Sequence, residues 1–395
     1  MEQGTRSEER EARSEGRFPS RSLPLAPCSS SFALRPSLLA PDLRPVAEKV
    51  FAGERLGFDD GLALYATRDL AGLGALAQHE RTRRHGRKAF YVLNQHINYS
   101  NLCTEVCFFC AFGKRRGQEG GYEMSLEEVF AKAEELDVRH ATELHIVGGL
   151  HPDLPLDYYV EMLRGLRQRH PKVALKAFTA VEIDWFAQLS GLTTREVLVR
   201  LKEAGLDSLP GGGSEVFHEE VRAKVCPQKT SAERWLEIHR EAHSLGIRSN
   251  ATMLYGHVEE ARHRVDHLLR LRGLQDETGG FLAFIPLAFH PENAYMEMIP
   301  APGGIDNLRN VAIARLMLDN FEHIKVYWIM LGLAIAQVGL SWGADDLDGT
   351  VIEEKIYHMA GATTPEGVSA ELLRHLIRQA GFVPVERDAL YRERG

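Results

Sequence analysis

From Phe90 onward the chain alternates short apolar runs with longer amphipathic ones, and that alternation leaves few folds open: it is the pattern of repeated βα units around a parallel sheet. The apolar runs predict strands at Phe90–Ile97, Glu143–Val147, Ala174–Thr179, Asn250–Leu254, Phe281–Leu287 and Ile324–Met330, with Ser208 and Leu209 as a short extra one. Helical periodicity predicts helices at Leu126–Asp137, Leu156–Arg169, Thr194–Ala204, Ala232–Leu245, Glu259–Leu274 and Leu308–Asn320. Ser125 with Glu128 forms a capping-box pattern ahead of the first helix, and Gly205 and Gly246 sit just past two others, as C-terminal caps do. Seven or eight such units in about 260 residues suit an α/β barrel of the (βα)8 TIM type better than a doubly wound sheet.

Residues 46–87 read as a helical N-terminal extension and residues 88–392 as the barrel with its closing segment, in which Ala370–Ala380 is a final helix. Residues 1–45, rich in Arg, Glu, Ser and Pro, read as a disordered tail or as an upstream extension from a misassigned start codon. Arg35 and Pro36 interrupt the tail's apolar run, unlike a signal peptide, and the glutamates at 2, 8, 9, 11 and 15 contradict the acid-poor rule for transit peptides.

A formal net charge of −8 argues against nucleic acid or anionic membrane as the partner and leaves a small molecule. No stretch approaches the roughly 20 apolar residues of a membrane span; the best, Trp328–Val338, is short. Five cysteines, three of them crowded together and Cys28 and Cys226 alone, make no disulfide framework and place the protein in a reducing cytoplasm.

In a barrel of this kind, reactive groups gather at the C-terminal ends of the strands. After the first predicted strand comes Cys103-Thr104-Glu105-Val106-Cys107-Phe108-Phe109-Cys110, three thiols in one loop. Iron–sulfur cubes take one thiolate per iron, so three cysteines leave one iron open to another ligand. Two other readings fit three clustered thiols. One is a structural zinc site completed by His96 or His145; the other is an electron carrier in which Cys226 is the fourth cluster ligand. The Gly211–Gly213 run lacks the Lys-Ser/Thr of a phosphate loop.

The cysteine spacing, with the aromatic Phe109 before the last thiol, resembles the motif of radical S-adenosylmethionine enzymes. Further stretches resemble one family of that superfamily, aminodeoxyfutalosine synthase of the futalosine route to menaquinone, over about residues 45–392. They are His96-Ile97-Asn98; Glu143 to Pro152, which reads ELHIVGGLHP; Lys176 to Ile183, KAFTAVEI; Leu209 to Glu215, LPGGGSE; Thr252 to His257, TMLYGH; Leu274 to Phe281, LQDETGGF; Phe284 to Phe289, FIPLAF; and Asp345 to Thr350, DDLDGT. Ser214 departs from the alanine of the family pattern. Two sister families share much of this: the cyclase acting on dehypoxanthine futalosine and the synthase of the deazaflavin precursor. The TAVEI run and the Gln275–Phe281 segment favour the first family.

The resemblance implies a [4Fe-4S] cluster on Cys103, Cys107 and Cys110, and S-adenosylmethionine as a consumed cosubstrate. It implies a low-potential electron donor such as flavodoxin or ferredoxin, and a reaction in which the 5′-deoxyadenosyl radical adds to 3-[(1-carboxyvinyl)oxy]benzoate to give aminodeoxyfutalosine, bicarbonate and methionine. By the same resemblance Phe109 lies near the adenine and Gly148 and Gly149 bond the methionine amino group, unless they form a plain βα turn. Glu182 is a candidate for the ribose hydroxyls or an ordinary helix-start carboxylate. Glu215 and Arg222 are candidates for the methionine end or a surface ion pair. The substrate's two carboxylates call for cationic or hydrogen-bonding groups in the barrel mouth, with His96, His145, His151, Lys176, His257, His290 and Lys325 as candidates. His145 and His257, near strand ends and glycines, are the expected catalytic acid or base, because neutral imidazole titrates near working pH.

Overall fold

A computed structural model describes residues 34–105, 107–135 and 141–394. Ten strands carry the architecture: β1 (Lys88–Val92), β2 (Asn94–Ile97), β3 (Glu143–Ile146), β4 (Ala174–Ala177), β5 (Ser208–Leu209), β6 (Arg248–Tyr255), β7 (Phe281–Ala288), β8 (His323–Ile324), β9 (Asp346–Gly349) and β10 (Val383–Arg387). β2 to β8 form one curled, wholly parallel sheet in chain order, and β10, β1 and β9 a second, three-stranded one. Helices follow the strands, as the βα alternation predicts. The barrel is joined through β9: Lys325, just past β8, bridges to Asp346, and Gln95 of β2 bridges to Ile352.

Local chemistry sets the helix starts. Ser125 accepts from the Glu128 N–H at 3.2 Å while the Glu128 carboxylate accepts from the Ser125 N–H at 2.7 Å, the expected capping box. The Thr179/Glu182 and Thr193/Glu196 pairs repeat the arrangement and open helices Ala180–Ser190 and Thr194–Glu203. The first of these makes Glu182 a helix-start carboxylate, one of the two readings its sequence position allows.

Two predicted strands differ from the structure. Phe90–Ile97 is two strands in two sheets, parted at Leu93, whose carbonyl accepts from the N–H groups of Thr142 and Glu143. Both pieces are buried almost throughout, although β2 carries the polar Asn94, Gln95 and His96, so neither burial nor a turn residue marks the break. Ile324–Met330 gives only the end of β8, and then Trp328–Leu331 turns into a short helix, with the Trp328 indole donating to the Gly349 carbonyl at 2.8 Å.

Residues 1–33 lie outside the described residues. From Leu34 the chain is packed, Leu39 and Leu43 being buried and the Ala40 N–H donating to the Asp69 carboxylate at 2.9 Å, so order begins before Pro45. Helices Arg44–Ala52, Phe58–Ala66 and Leu70–His85 follow. Among the described residues no helix is long and apolar enough to cross a membrane.

Candidate active site

A cavity of about 290 Å³ lies at the C-terminal ends of the barrel strands. Loops beyond the strand ends make its rim: the cysteine loop, the Gly148-Gly149 turn, Glu182, Gly212, Gly213 and Glu215. Its floor comes from side chains on the strands themselves. Alternate residues Asn94 and His96 of β2, and Asn250, Thr252 and Leu254 of β6, line it, as period-two strands with one face inward require.

The cysteine loop is held by its backbone. The Cys103 N–H donates to the Lys114 carbonyl at 2.9 Å, Thr104 to Leu150 at 3.0 Å, Phe108 to Val225 at 2.8 Å and Cys110 to Cys107 at 3.0 Å. All three thiols are free and face the cavity. Burial pushes the Cys103 and Cys107 thiols up, and Lys229 opposes this only in part. Buried thiols of that kind become thiolates when a bound cation stabilises them.

Their spacing discriminates between metals. Tetrahedral zinc–sulfur bonds of about 2.3 Å hold sulfurs roughly 3.8 Å apart. Among the described residues, the His, Cys, Asp and Glu groups whose ligating atoms gather within 4.8 Å are His85/His323/Asp345 and His218/Glu220/His263, and the cysteine trio is not among them, with or without His96 or His145. The trio therefore does not form the compact set that a single zinc ion needs. Cys226 is buried and does not line the cavity, so it supplies no fourth ligand there.

Gly148, Gly149 and Glu182 form one unit. The Glu182 carboxylate accepts from the Gly148 N–H at 3.1 Å and the Tyr99 hydroxyl at 2.8 Å through one oxygen, and from the Thr179 N–H at 2.6 Å and hydroxyl at 2.8 Å through the other. The Gly149 N–H donates to the Ser100 carbonyl at 2.8 Å. With both N–H groups engaged, this turn has its carbonyl oxygens to offer a ligand amine. A Cβ on Gly148 would sit 2.5 Å from the Tyr99 ring, which explains the glycine. Burial raises the Glu182 carboxyl, and its four donors work against that. Glu182→Gln places an amide N–H₂ against one pair of donors; we expect the apo chain to lose about 1–3 kcal/mol of urea unfolding free energy, and an unchanged midpoint would refute the bonding scheme.

Also lining the cavity, Glu215 lies at φ 49°, in the left-handed region, and its carboxylate accepts from Lys229 at 2.6 Å. Burial alone would lower the Lys229 ammonium; Glu215 outweighs it and holds the charge. The ammonium also lies 5.4 Å from the centre of the Phe109 ring, which lines the cavity. Arg222 does not line the cavity: its guanidinium donates to the carbonyls of Ser214 (2.8 Å) and Thr230, and so latches the glycine-rich loop from behind. The cation that faces the cavity beside this loop is Lys229, which no sequence motif singled out.

Of the histidines, His96, His145 and His290 line the cavity. His257 does not. Its Nε2 donates to the Leu254 carbonyl at 3.0 Å, its Nδ1 accepts from the Val258 N–H at 2.8 Å, and the Glu259 carboxylate lies 3.0 Å away. His151 accepts from two backbone N–H groups and pairs with Glu123 at 2.5 Å, also outside the cavity. Lys176 is buried beneath the floor against Glu143 at 2.7 Å, whereas Lys325 reaches the cavity and pairs with Asp348 at 3.1 Å. Asn94, Asn250, Tyr327, Asp348, Glu354 and Tyr357 complete the floor and wall. Four of these come from strand ends and from the segment after β9, whose return over the barrel has no short-range sequence signal; Asp348 belongs to DDLDGT, the one visible cue.

Residues 97–271 match the family model of the radical SAM superfamily, and residues 278–395 that of the CofH/MqnC C-terminal region. The aminodeoxyfutalosine synthase of Thermus thermophilus is 52% identical over 357 residues, covering 89% of this chain and 96% of that one. The 5-amino-6-(D-ribitylamino)uracil–L-tyrosine 4-hydroxyphenyl transferase of Methanopyrus kandleri is 39% identical over 360 residues, with 89% and 98% covered. Among solved structures, the crystal structure of methylornithine synthase is similar with a TM-score of 0.69 at 17% identity, over 86% of this chain and 97% of that one, a likeness in fold alone.

Proposed function

Because this chain belongs to the aminodeoxyfutalosine synthase family of the radical S-adenosylmethionine superfamily, and is an enzyme using a [4Fe-4S] cluster and S-adenosylmethionine, we propose that it joins the 5′-deoxyadenosyl group to 3-[(1-carboxyvinyl)oxy]benzoate, giving aminodeoxyfutalosine, bicarbonate and methionine in menaquinone biosynthesis. The observation that carries this reading is that three free thiols and a polar floor of strand side chains line one and the same cavity.

Cys103, Cys107 and Cys110 are the residues that would hold the cluster. When bound, the cluster delivers one electron to S-adenosylmethionine and so supplies the 5′-deoxyadenosyl radical. The chain's own part is orientation and exclusion of water. The carbonyls of Gly148 and Gly149 would receive the methionine amino group, the Glu215–Lys229 pair lines the same cavity, and the Phe109 ring offers a face to the adenine. Glu182, with all its acceptor sites engaged, holds the glycine turn in shape rather than reaching a ribose directly. The floor, with His96, His145, Lys325 and Asn250, takes the aromatic acid. Of the two expected acid–base histidines only His145 can meet substrate, since His257 is turned into the loop. The reducing electron comes from a low-potential donor of the flavodoxin or ferredoxin kind.

The test is anaerobic incubation of reconstituted protein with dithionite, S-adenosylmethionine and 3-[(1-carboxyvinyl)oxy]benzoate, followed by mass spectrometry. Aminodeoxyfutalosine should form with the wild type and fall below detection with Cys107→Ala. Formation of 5′-deoxyadenosine and methionine alone would reject this substrate and turn the search to those of the two sister families.

A further inference from the structure

The cavity is rich in acids before any ligand enters. Glu105, Glu182, Glu215, Asp348 and Glu354 line it, against two lysines, Lys229 and Lys325. Both lysines are already matched by a carboxylate, Lys229 by Glu215 at 2.6 Å and Lys325 by Asp348 at 3.1 Å. Lys176, under the floor, is matched by Glu143 at 2.7 Å, both side chains being about 1% exposed. A ligand bearing two carboxylates would therefore add uncompensated negative charge to a poorly solvated site, a large cost unless a positive charge arrives with it.

Two groups on the floor can provide that charge. His96 of β2 and His145 of β3 are in register on adjacent strands, and their rings stack at 4.4 Å with only 4° between the planes. Neither imidazole makes a hydrogen bond to another described residue; the nearest carboxylate contact is His145 Nδ1 to Glu143 at 4.0 Å. His290, the third cavity histidine, is set apart because its Nε2 already donates to the Met330 carbonyl at 3.1 Å. The geometry points to the His96–His145 stack as the anchor for a substrate carboxylate, one imidazole of the pair taking up a proton as that carboxylate binds. This rests on the reading of the substrate as an aromatic dicarboxylate.

The surroundings fit. In the free protein burial holds His145 well below its ordinary pKa, with His96, Lys176 and Lys325 pushing the same way and Glu143 opposing. Burial lowers His96 as well, helped by Lys325 and opposed by Glu354, Asp348 and Glu143. The pair is thus neutral at pH 7 when empty, and a carboxylate brought against it favours the charged form. Two imidazolium rings stacked face to face would repel, so the pair accepts one proton and not two. For the sign, the bound pKa lies above the free one, so affinity rises as pH falls through the window between them, by at most about tenfold per pH unit, and levels off on either side.

The experiment is calorimetric titration of the reconstituted holoenzyme with 3-(1-carboxyethoxy)benzoate, a saturated analogue that keeps both carboxylates, in buffers of different ionisation enthalpy. We expect net uptake of about one proton per ligand. His145→Gln and His96→Gln, each checked for wild-type iron content, should weaken binding about 10- to 100-fold and abolish the uptake. Binding by the wild type without proton uptake overturns the inference and leaves the substrate class standing, as does uptake that survives both substitutions. If the wild type binds neither the analogue nor 3-[(1-carboxyvinyl)oxy]benzoate, the substrate class itself fails and the anchor with it.

Discussion

Gly149→Ala is expected to strip the protein of most of its iron and to lower product formation at least about 100-fold. A Cβ at this position would lie 2.3 Å from the Leu102 carbonyl oxygen, 2.8 Å from its carbon and 3.1 Å from the Asn101 carbonyl carbon. These are backbone atoms, so no rotamer change relieves the contact. The segment that must move runs straight into Cys103, and the Gly149 N–H bond to Ser100 at 2.8 Å ties the two loops together where they would be pushed apart. A shift of a few tenths of an ångström to an ångström at the first thiol is enough to spoil a three-point ligand set. Gly273, in the helix Ala261–Thr278 with nothing within 4 Å of a Cβ, is the control; Gly273→Ala should be neutral or stabilise by up to about 1 kcal/mol. Iron and sulfide content measured beside activity decides the matter. A Gly149→Ala enzyme with full iron and full turnover would mean that the glycine turn and the cysteine loop are not coupled.

The same contact shows how far the sequence could be read. Barrel class and the cysteine loop follow from local signals: short apolar runs alternating with amphipathic ones, capping pairs such as Ser125/Glu128, and three thiols in eight residues. What does not follow is anything decided by distant partners. β9 and β10 are short, and β10 carries Pro384 at a sheet edge; each is a strand because β1 lies beside it, not because of its own composition. Lys229 sits in an unpatterned loop and reaches the site only through the fold. Arg222 and His257 show the converse. Both occupy positions where motif and strand-end reasoning places a ligand, yet each finds backbone carbonyls nearer than the cavity, Arg222 at Ser214 and Thr230 and His257 at Leu254. Local pattern identifies which residues stand near a strand end; side-chain direction depends on acceptors contributed from elsewhere in the chain.

The charge pair beside the junction that closes the barrel should be highly sensitive to the loss of one partner. Arg387 of β10 donates through Nε to Asp346 of β9 at 2.5 Å, with both side chains wholly buried, and its guanidinium lies 4.0 Å from the centre of the Tyr391 ring. Arg387→Met should cost about 3–5 kcal/mol of unfolding free energy in the apo chain, because it leaves Asp346 charged and unmatched in a medium that solvates it poorly. Replacing both, Arg387→Met with Asp346→Leu, removes the orphaned charge and should recover most of that loss, which a double-mutant cycle in urea would measure. Stability and function part company at that point. The Asp346 carboxylate also accepts from the Asp348 N–H at 2.7 Å, and Asp348 holds Lys325 at the cavity floor. Asp348 sits at φ 65°, a left-handed conformation that an aspartate keeps more readily when its N–H is bonded. The double variant therefore regains its fold without regaining this restraint, and its KM for the aromatic acid should stay raised about tenfold even where its urea midpoint approaches the wild type. A double variant that recovers stability and KM together would place Asp346 outside the chain of contacts that sets the floor.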